Sequence, residues 1–126
     1  MGNDQEKSTI LVVDDTPENI DVMNGILKPE YKVKVALNGE KALKIAGSDK
    51  PPDMILLDIM MPGMDGYEVC RRLKGAEETS HIPIIFVSGA EDSESREAGL
   101  ALGAVDYLTK PIDPAQMKEK IETHLG

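Results

Sequence analysis

Residues 55–66 read ILLDIMMPGMDG. Three aliphatic residues run straight into one aspartate, Asp58, and Pro62, Gly63 and Gly66 follow. An unbroken aliphatic run bounded by turn residues marks a strand buried on both faces. Pro and Gly then force the chain into a tight loop, because one fixes φ and the other tolerates conformations closed to other residues. A lone carboxylate therefore stands at the carboxyl tip of a buried strand, and it needs a reason to be there.

Similar runs recur on either side. Strands are expected at 9–13, 32–36, 53–57, 82–87 and 104–108, the first, third and fourth nearly continuous in apolar residues. Helix starts fall between them. TPEN puts Thr16 at an N-cap and Pro17 at the first helical position, and DPAQ repeats the signal at Asp113 and Pro114. DGYE sets Asp65 and Glu68 at capping-box spacing, so Asp65 reads as a cap rather than a ligand. Ile20, Met23 and Leu27 share one helical face, as do Met117 and Ile121. Two further helices are expected at about 38–46 and 93–102. The alternation makes five βα units, and right-handed crossovers turn these into an open parallel sheet with helices on both faces. Ligands of such sheets bind beyond the carboxyl ends of the strands.

The chain has 126 residues, within the range of one domain, with 40% hydrophobic and 29% charged residues. It carries no Trp and one Phe, so its core should be aliphatic. A net charge of -9, from 23 acidic against 14 basic residues, argues against direct binding to nucleic acid or to an anionic membrane. One cysteine, Cys70, leaves no internal disulfide and fits a reducing, cytoplasmic setting. The polar start MGNDQEKS reads neither as a signal peptide nor, with Glu6 where Ser or Thr is wanted, as a myristoylation site. Residues 1–7 are expected to form a flexible tail ahead of a single domain at 8–124.

The strand ends carry the chemistry. The first ends at Asp14 and Asp15, the third at Asp58, the fourth at Ser88, the fifth at Lys110 and Pro111. Singly, each is an ordinary feature: a turn, a cap, a solvated loop lysine. Together, at the same ends of consecutive strands, they put three carboxylates, a hydroxyl and an ammonium on one sheet edge. Clustered acids repel. A hard divalent cation relieves this, and Mg²⁺ takes one or two carboxylates plus waters and a phosphate. No His or Cys accompanies the acids, which argues against zinc or iron. Lys110 and Ser88 suit a phosphoryl group, as a point charge and as a hydroxyl donor.

ILVVDDTPEN, ILLDIMMPGMDGYEVCRRLK, IPIIFVSGA and GAVDYLTKPID, in this order and at these spacings, resemble a response-regulator receiver domain of two-component signalling. The resemblance spans about residues 8–124. It implies an α/β, (βα)5 flavodoxin-like three-layer sandwich with a five-stranded parallel sheet in the order 2-1-3-4-5. It makes Asp58 the phosphoacceptor. Asp14, Asp15, Asp58 and the backbone carbonyl of Met60 would hold Mg²⁺, or Mn²⁺ in its place. Lys110 would pair with Asp58 and then with the phosphoryl oxygens, Ser88 would bond the arriving group, and Tyr107 would turn inward as the switch residue. The Lys110–Pro111 peptide would be cis. The donor would be a sensor histidine kinase or a histidine phosphotransfer domain in a bacterial phosphorelay. The output surface would lie around the fourth helix, fifth strand and fifth helix, with a phosphorylation-dependent dimer as one outcome. The chain would act as a switch rather than an enzyme, with at most self-phosphorylation from small donors and self-dephosphorylation.

The sequence departs little from that pattern. Ser88 lacks the methyl of the commoner Thr. Met60 is apolar where some members place a polar residue, and with Met61 and Met64 it either forms a partner surface or fills gaps under the loop. Gly89 and Ala90 are small, so the site should be open to small donors and water. Gly99 lies inside an expected helix at a cost of about 1 kcal/mol relative to Ala; it either softens a mobile element or allows close packing, and packing is the favoured reading. Two other readings share these residues. A degenerate, constitutive interaction module usually lacks an acid, the acceptor or the lysine, and all are present. A haloacid-dehalogenase-type phosphatase would want an acid at position 60, and a flavin-binding relative a phosphate loop in place of DDTPEN. Whether the receiver stands alone or belongs to a longer protein, and what output it drives, stays open at this level.

Overall fold

The structure, a computed structural model, describes residues 7–89 and 93–125. Of the expected flexible tail, residues 1–6 lie outside the described part, as does Ala90. Five βα units follow one another: β1 (Thr9–Val13), α1 (Pro17–Leu27), β2 (Lys32–Ala36), α2 (Gly39–Ala46), β3 (Met54–Asp58), α3 (Gly66–Gly75), β4 (Ile84–Ser88), α4 (Ser93–Ala101), β5 (Asp106–Thr109) and α5 (Pro114–Leu125). The sheet is parallel throughout, in the order β2-β1-β3-β4-β5.

Period-two alternation divides the core into two layers. Leu11, Val13, Ile55, Leu57, Ile84 and Phe86 face one side, against Ala42, Val69 and Leu73 of α2 and α3. Ile10, Val12, Met54, Leu56, Ile85 and Val87 face the other, against Ile20, Met23 and Leu27 of α1 and Met117 and Ile121 of α5. With residues of β3 and β4 buried without exception, neither strand can carry a polar group except where its carboxyl tip leaves the sheet. Among the described residues the core is aliphatic apart from Phe86 and Tyr107; Phe86 meets the partly buried Tyr67 edge-on, with ring centroids 5.6 Å apart.

Three strands, at both ends, and one cap differ from expectation, with β4 and β5 each ending one residue later than expected. β4 starts at Ile84 because Pro83 has no N–H for the ladder; its carbonyl instead accepts from Ile55 N–H at 3.0 Å. β5 starts at Asp106 because Ala104 N–H closes the end of α4 on Gly99 O at 3.2 Å. β3 runs one residue later, through Asp58 itself. Thr16 occupies the N-cap position of α1, but its side chain makes no capping bond. Asn38, Asp65 and Asp113 do cap: they accept from Lys41 N–H at 2.8 Å, Glu68 N–H at 2.9 Å and Ala115 N–H at 3.0 Å. Only half of the capping box forms at Asp65, since the Glu68 carboxylate turns to Arg71 and Arg72.

Gly99 is a packing glycine. A Cβ there would lie 2.6 Å from the Phe86 ring, so α4 can sit on β4 only without one. The three methionines divide: Met60 is exposed, Met61 is buried and Met64 packs on the core.

Candidate functional site

Sheet register builds the site. Val13 is level with Leu57, so Asp14 follows β1 at the height where Asp58 ends β3. Asp58 is level with Val87, and Ser88 with Thr109, so Ser88 and Lys110 each emerge one step further on. Asp14 is fully buried, Asp58 nearly so, and Asp15 is exposed. One carboxylate oxygen from each of Asp14, Asp15 and Asp58 lies within 4.8 Å of the others. Lys110 Nζ bridges two of them, 3.1 Å from Asp14 Oδ2 and 3.2 Å from Asp58 Oδ1.

One ammonium does not neutralise three acids. Burial first, and the Asp14 charge second, push the Asp58 carboxyl above the ordinary carboxylate range, with Lys110 opposing them. Burial pulls the Lys110 ammonium down, but its hydrogen bonds and charge contacts with Asp14 and Asp58 more than reverse this, leaving it raised. The cluster holds surplus negative charge on hard oxygen donors. That donor set fits a hard cation such as Mg²⁺ and not a soft one.

The loop after β3 turns tightly at the carboxyl end of the strand. Gly63 has φ +75, and at Gly66 a Cβ would lie 2.3 Å from the Asp58 carbonyl oxygen. Gly66 N–H and Met61 N–H both donate to Ile59 O, at 2.8 and 3.1 Å. Only glycine allows α3 to begin so close to the strand it has just left. The Met60 side chain points away, 75% exposed.

Ser88 is buried at the end of β4, and its carbonyl accepts from Lys110 N–H at 2.8 Å. The Lys110–Pro111 peptide is cis. Tyr107 is buried on the α2–α3 face of the sheet, with the Arg96 guanidinium carbon 5.6 Å from its ring centroid. Gly89 is exposed, beyond the end of β4.

Two participants were not legible as such. Thr16 contributes its backbone N–H, which donates to Asp14 Oδ1 at 2.9 Å. Asn19, on the first turn of α1, places its Nδ2 3.3 Å from Asp14 Oδ2 and 3.5 Å from Oδ1. In the sequence it is one letter of a capping segment. Its spacing from Asp14 is the only hint that a helix turning back over β1 would bring the two together.

The family model for the response regulator receiver domain matches residues 10–122. A probable cyclic di-GMP phosphodiesterase of Vibrio cholerae is 44% identical over 122 residues, covering 97% of this chain and 27% of that protein. The chain spans about a quarter of the length of the curated relatives it matches at that identity. Among solved structures, a response regulator of Chloroflexus aurantiacus superposes with a TM-score of 0.89 at 32% identity, covering 94% of this chain and 98% of that one. The receiver domain of a Pseudomonas aeruginosa sensor histidine kinase superposes at 0.87 with 30% identity, covering 95% and 98%. That structure has a magnesium ion coordinated in its active site cleft. Among the described residues of the present chain, no helix is long and apolar enough to cross a membrane.

Proposed function

This chain belongs to the response regulator receiver domain family, and we propose that Asp58 accepts a phosphoryl group from a histidine kinase or histidine phosphotransfer protein and thereby switches a partner-binding surface. The observation that carries this is the buried Asp14–Lys110–Asp58 bridge, which sets a carboxylate, a compensating ammonium and surplus acid at one strand edge.

In the transfer, an Asp58 carboxylate oxygen forms a bond to phosphorus. The bond from phosphorus to the donor atom breaks, a P–N bond in a phosphohistidine or a P–O bond in an acyl phosphate, and the leaving group takes the electron pair. Asp14, Asp15, Asp58 and the Met60 carbonyl would hold Mg²⁺, or Mn²⁺ in its place, and a bound cation offsets charge on the phosphoryl oxygens. Burial of Asp58 in β3 fixes its oxygen in place for attack, and positioning of that kind accounts for much of phosphoryl-transfer catalysis. The Lys110 ammonium offsets negative charge on the transferred group, and the Ser88 hydroxyl donates to it.

The output is conformational. New acceptor oxygens on Asp58 draw Ser88, the last residue of β4, and Lys110, the first residue after β5. Tyr107 is the switch residue of this reading. Its ring is buried in the core on the α2–α3 face of the sheet, beside Arg96. The surface formed by α4, β5 and α5 carries the signal to a partner, to an output domain or to a second copy. The domain comprises residues 8–124 and works in a cytoplasmic setting. It is a switch whose own chemistry is confined to accepting and losing the phosphoryl group.

Incubation with Mg²⁺ and acetyl phosphate, read by intact mass, tests the proposal. One phosphoryl adduct is expected on the parent and none on Asp58→Ala or after EDTA. A folded parent that stays unmodified in excess Mg²⁺ would point instead to a constitutive interaction module.

A further inference from the structure

Asn19 has no part in the roles assigned above, yet its amide faces the fully buried Asp14 carboxylate. The nitrogen must be the atom that faces it, because an amide oxygen there would oppose carboxylate lone pairs. Three donors from three segments thus meet at Asp14: Thr16 N–H from the β1–α1 turn, Asn19 Nδ2 from α1 and Lys110 Nζ from the β5–α5 loop. Lys110 is shared with Asp58. Asn19 and Lys110 stand together on the wall of a cleft of about 170 Å³, closed by Val22, Met23, Pro111 and Ile112.

The three donors differ in what phosphorylation does to them. The Thr16 N–H is fixed by the turn. Lys110, in the function proposed above, follows the phosphoryl oxygens on Asp58. Asp14 then loses the ammonium's hydrogen bond while it stays buried, and a bound cation would not replace that donor; a buried carboxylate oxygen short of a donor is costly. Asn19 can remain. Being neutral, it steadies Asp14 without placing a second positive charge beside a cation held by the same carboxylate.

We infer that Asn19 is a positioning residue which holds the Asp14 carboxylate in place when Lys110 transfers from Asp14 to the phosphoryl group. The inference rests on the phosphoacceptor reading and adds to it a second donor for the site's buried acid. Asn19 matters little while Lys110 bridges the two acids and most once the bridge opens.

The test compares two affinities, each read from the rise in thermal midpoint on titration. One is for Mg²⁺ alone; the other is for beryllofluoride, a phosphoryl mimic, at saturating Mg²⁺. In Asn19→Ala, beryllofluoride affinity should fall about tenfold and Mg²⁺ affinity by no more than about threefold, the scale expected when a ligand loses one supporting hydrogen bond. A lesion that merely loosens α1 would lower both alike, so equal losses overturn the inference, as does unchanged beryllofluoride affinity. Should Asn19→Ala fail to fold, Asn19→Ser serves the same comparison with the same split expected. A parent that binds Mg²⁺ but not beryllofluoride would overturn the phosphoacceptor reading itself, and this inference with it.

Discussion

Replacing Asp58 by Asn should stabilise the metal-free fold at neutral pH. With an effective dielectric constant of about 20, a like charge within 4.8 Å costs at least about 3.5 kcal/mol, and the Lys110 attraction at 3.2 Å returns about 5 kcal/mol. Asp15 is exposed and its repulsion is screened, so Asp14 and Lys110 leave a net attraction of at most about 1.5 kcal/mol. The desolvation of a nearly buried carboxylate then dominates, in keeping with burial as the first cause of its raised pKa. Asn keeps the shape and an oxygen that can accept from Lys110 but drops the charge. Set against a desolvation cost of several kcal/mol per buried ion, the expected gain is about 1–2 kcal/mol, or a rise of about 3–6 °C in Tm for a chain of this length. The sign with pH follows from the raised folded-state pKa. Below the ordinary value of 3.8, Asp58 is protonated in both folded and unfolded chains, and its contribution to stability is fully present. That contribution is lost as pH rises through the folded-state pKa. The advantage of Asn should therefore fade as the solution is acidified through that pKa. Saturating Mg²⁺ should shrink or reverse it, by stabilising the parent alone. Urea denaturation in EDTA at neutral and acid pH, and again with Mg²⁺, measures all three effects. An Asp58→Asn chain less stable than the parent in EDTA at neutral pH would refute the charge bookkeeping.

Lys110→Ala should destabilise the chain by about 2–3 kcal/mol in EDTA, near the low end for breaking a buried pair because the lysine is 24% exposed, and should abolish the acetyl phosphate adduct; urea midpoints and intact mass read the two effects. Gly99→Ala should destabilise despite a helix-propensity gain of about 1 kcal/mol, since the added Cβ meets the Phe86 ring at 2.6 Å. The double variant with Phe86→Leu should recover most of the loss in the same assay. Asp106 accepts from Lys120 and His124 on α5, at 2.8 and 2.9 Å. Its burial would raise the carboxyl pKa, but these two bonds and the Tyr107 N–H more than offset it, leaving the pKa lowered. That pair contributes stability above the ordinary 3.8 and loses it as pH falls through the lowered value. Asp106→Asn should therefore cost about 1 kcal/mol at neutral pH, with the difference from the parent vanishing in strong acid.

The elements and the acid-bearing strand tips are legible in the sequence, because they depend on interactions between near neighbours. An aliphatic run such as Ile55–Leu57 needs burial on both faces wherever it sits, and caps such as Asp65 and Asn38 bond residues three places away. Where such local rules missed, a local competitor had won. Pro83 shortened β4, and at Thr16 it was the backbone N–H, not the side chain, that found a partner. The choice between a softening and a packing role for Gly99 needed the position of Phe86, on another element. Nothing local places Tyr107 inward beneath Arg96.

The sequence by itself determined which groups the sheet edge would carry: Asp14, Asp15, Asp58, Ser88 and Lys110 each follow a recognisable strand. Only the tertiary structure decided how they meet. Lys110 bridges Asp14 across 96 residues and Asp58 across 52, and that depends on the register of four parallel strands. Register and helix docking are set by the packing of both core layers at once. The contact between Asn19 and Asp14 is short in sequence, yet it exists only because α1 lies back over β1 with Ile20, Met23 and Leu27 buried beneath it.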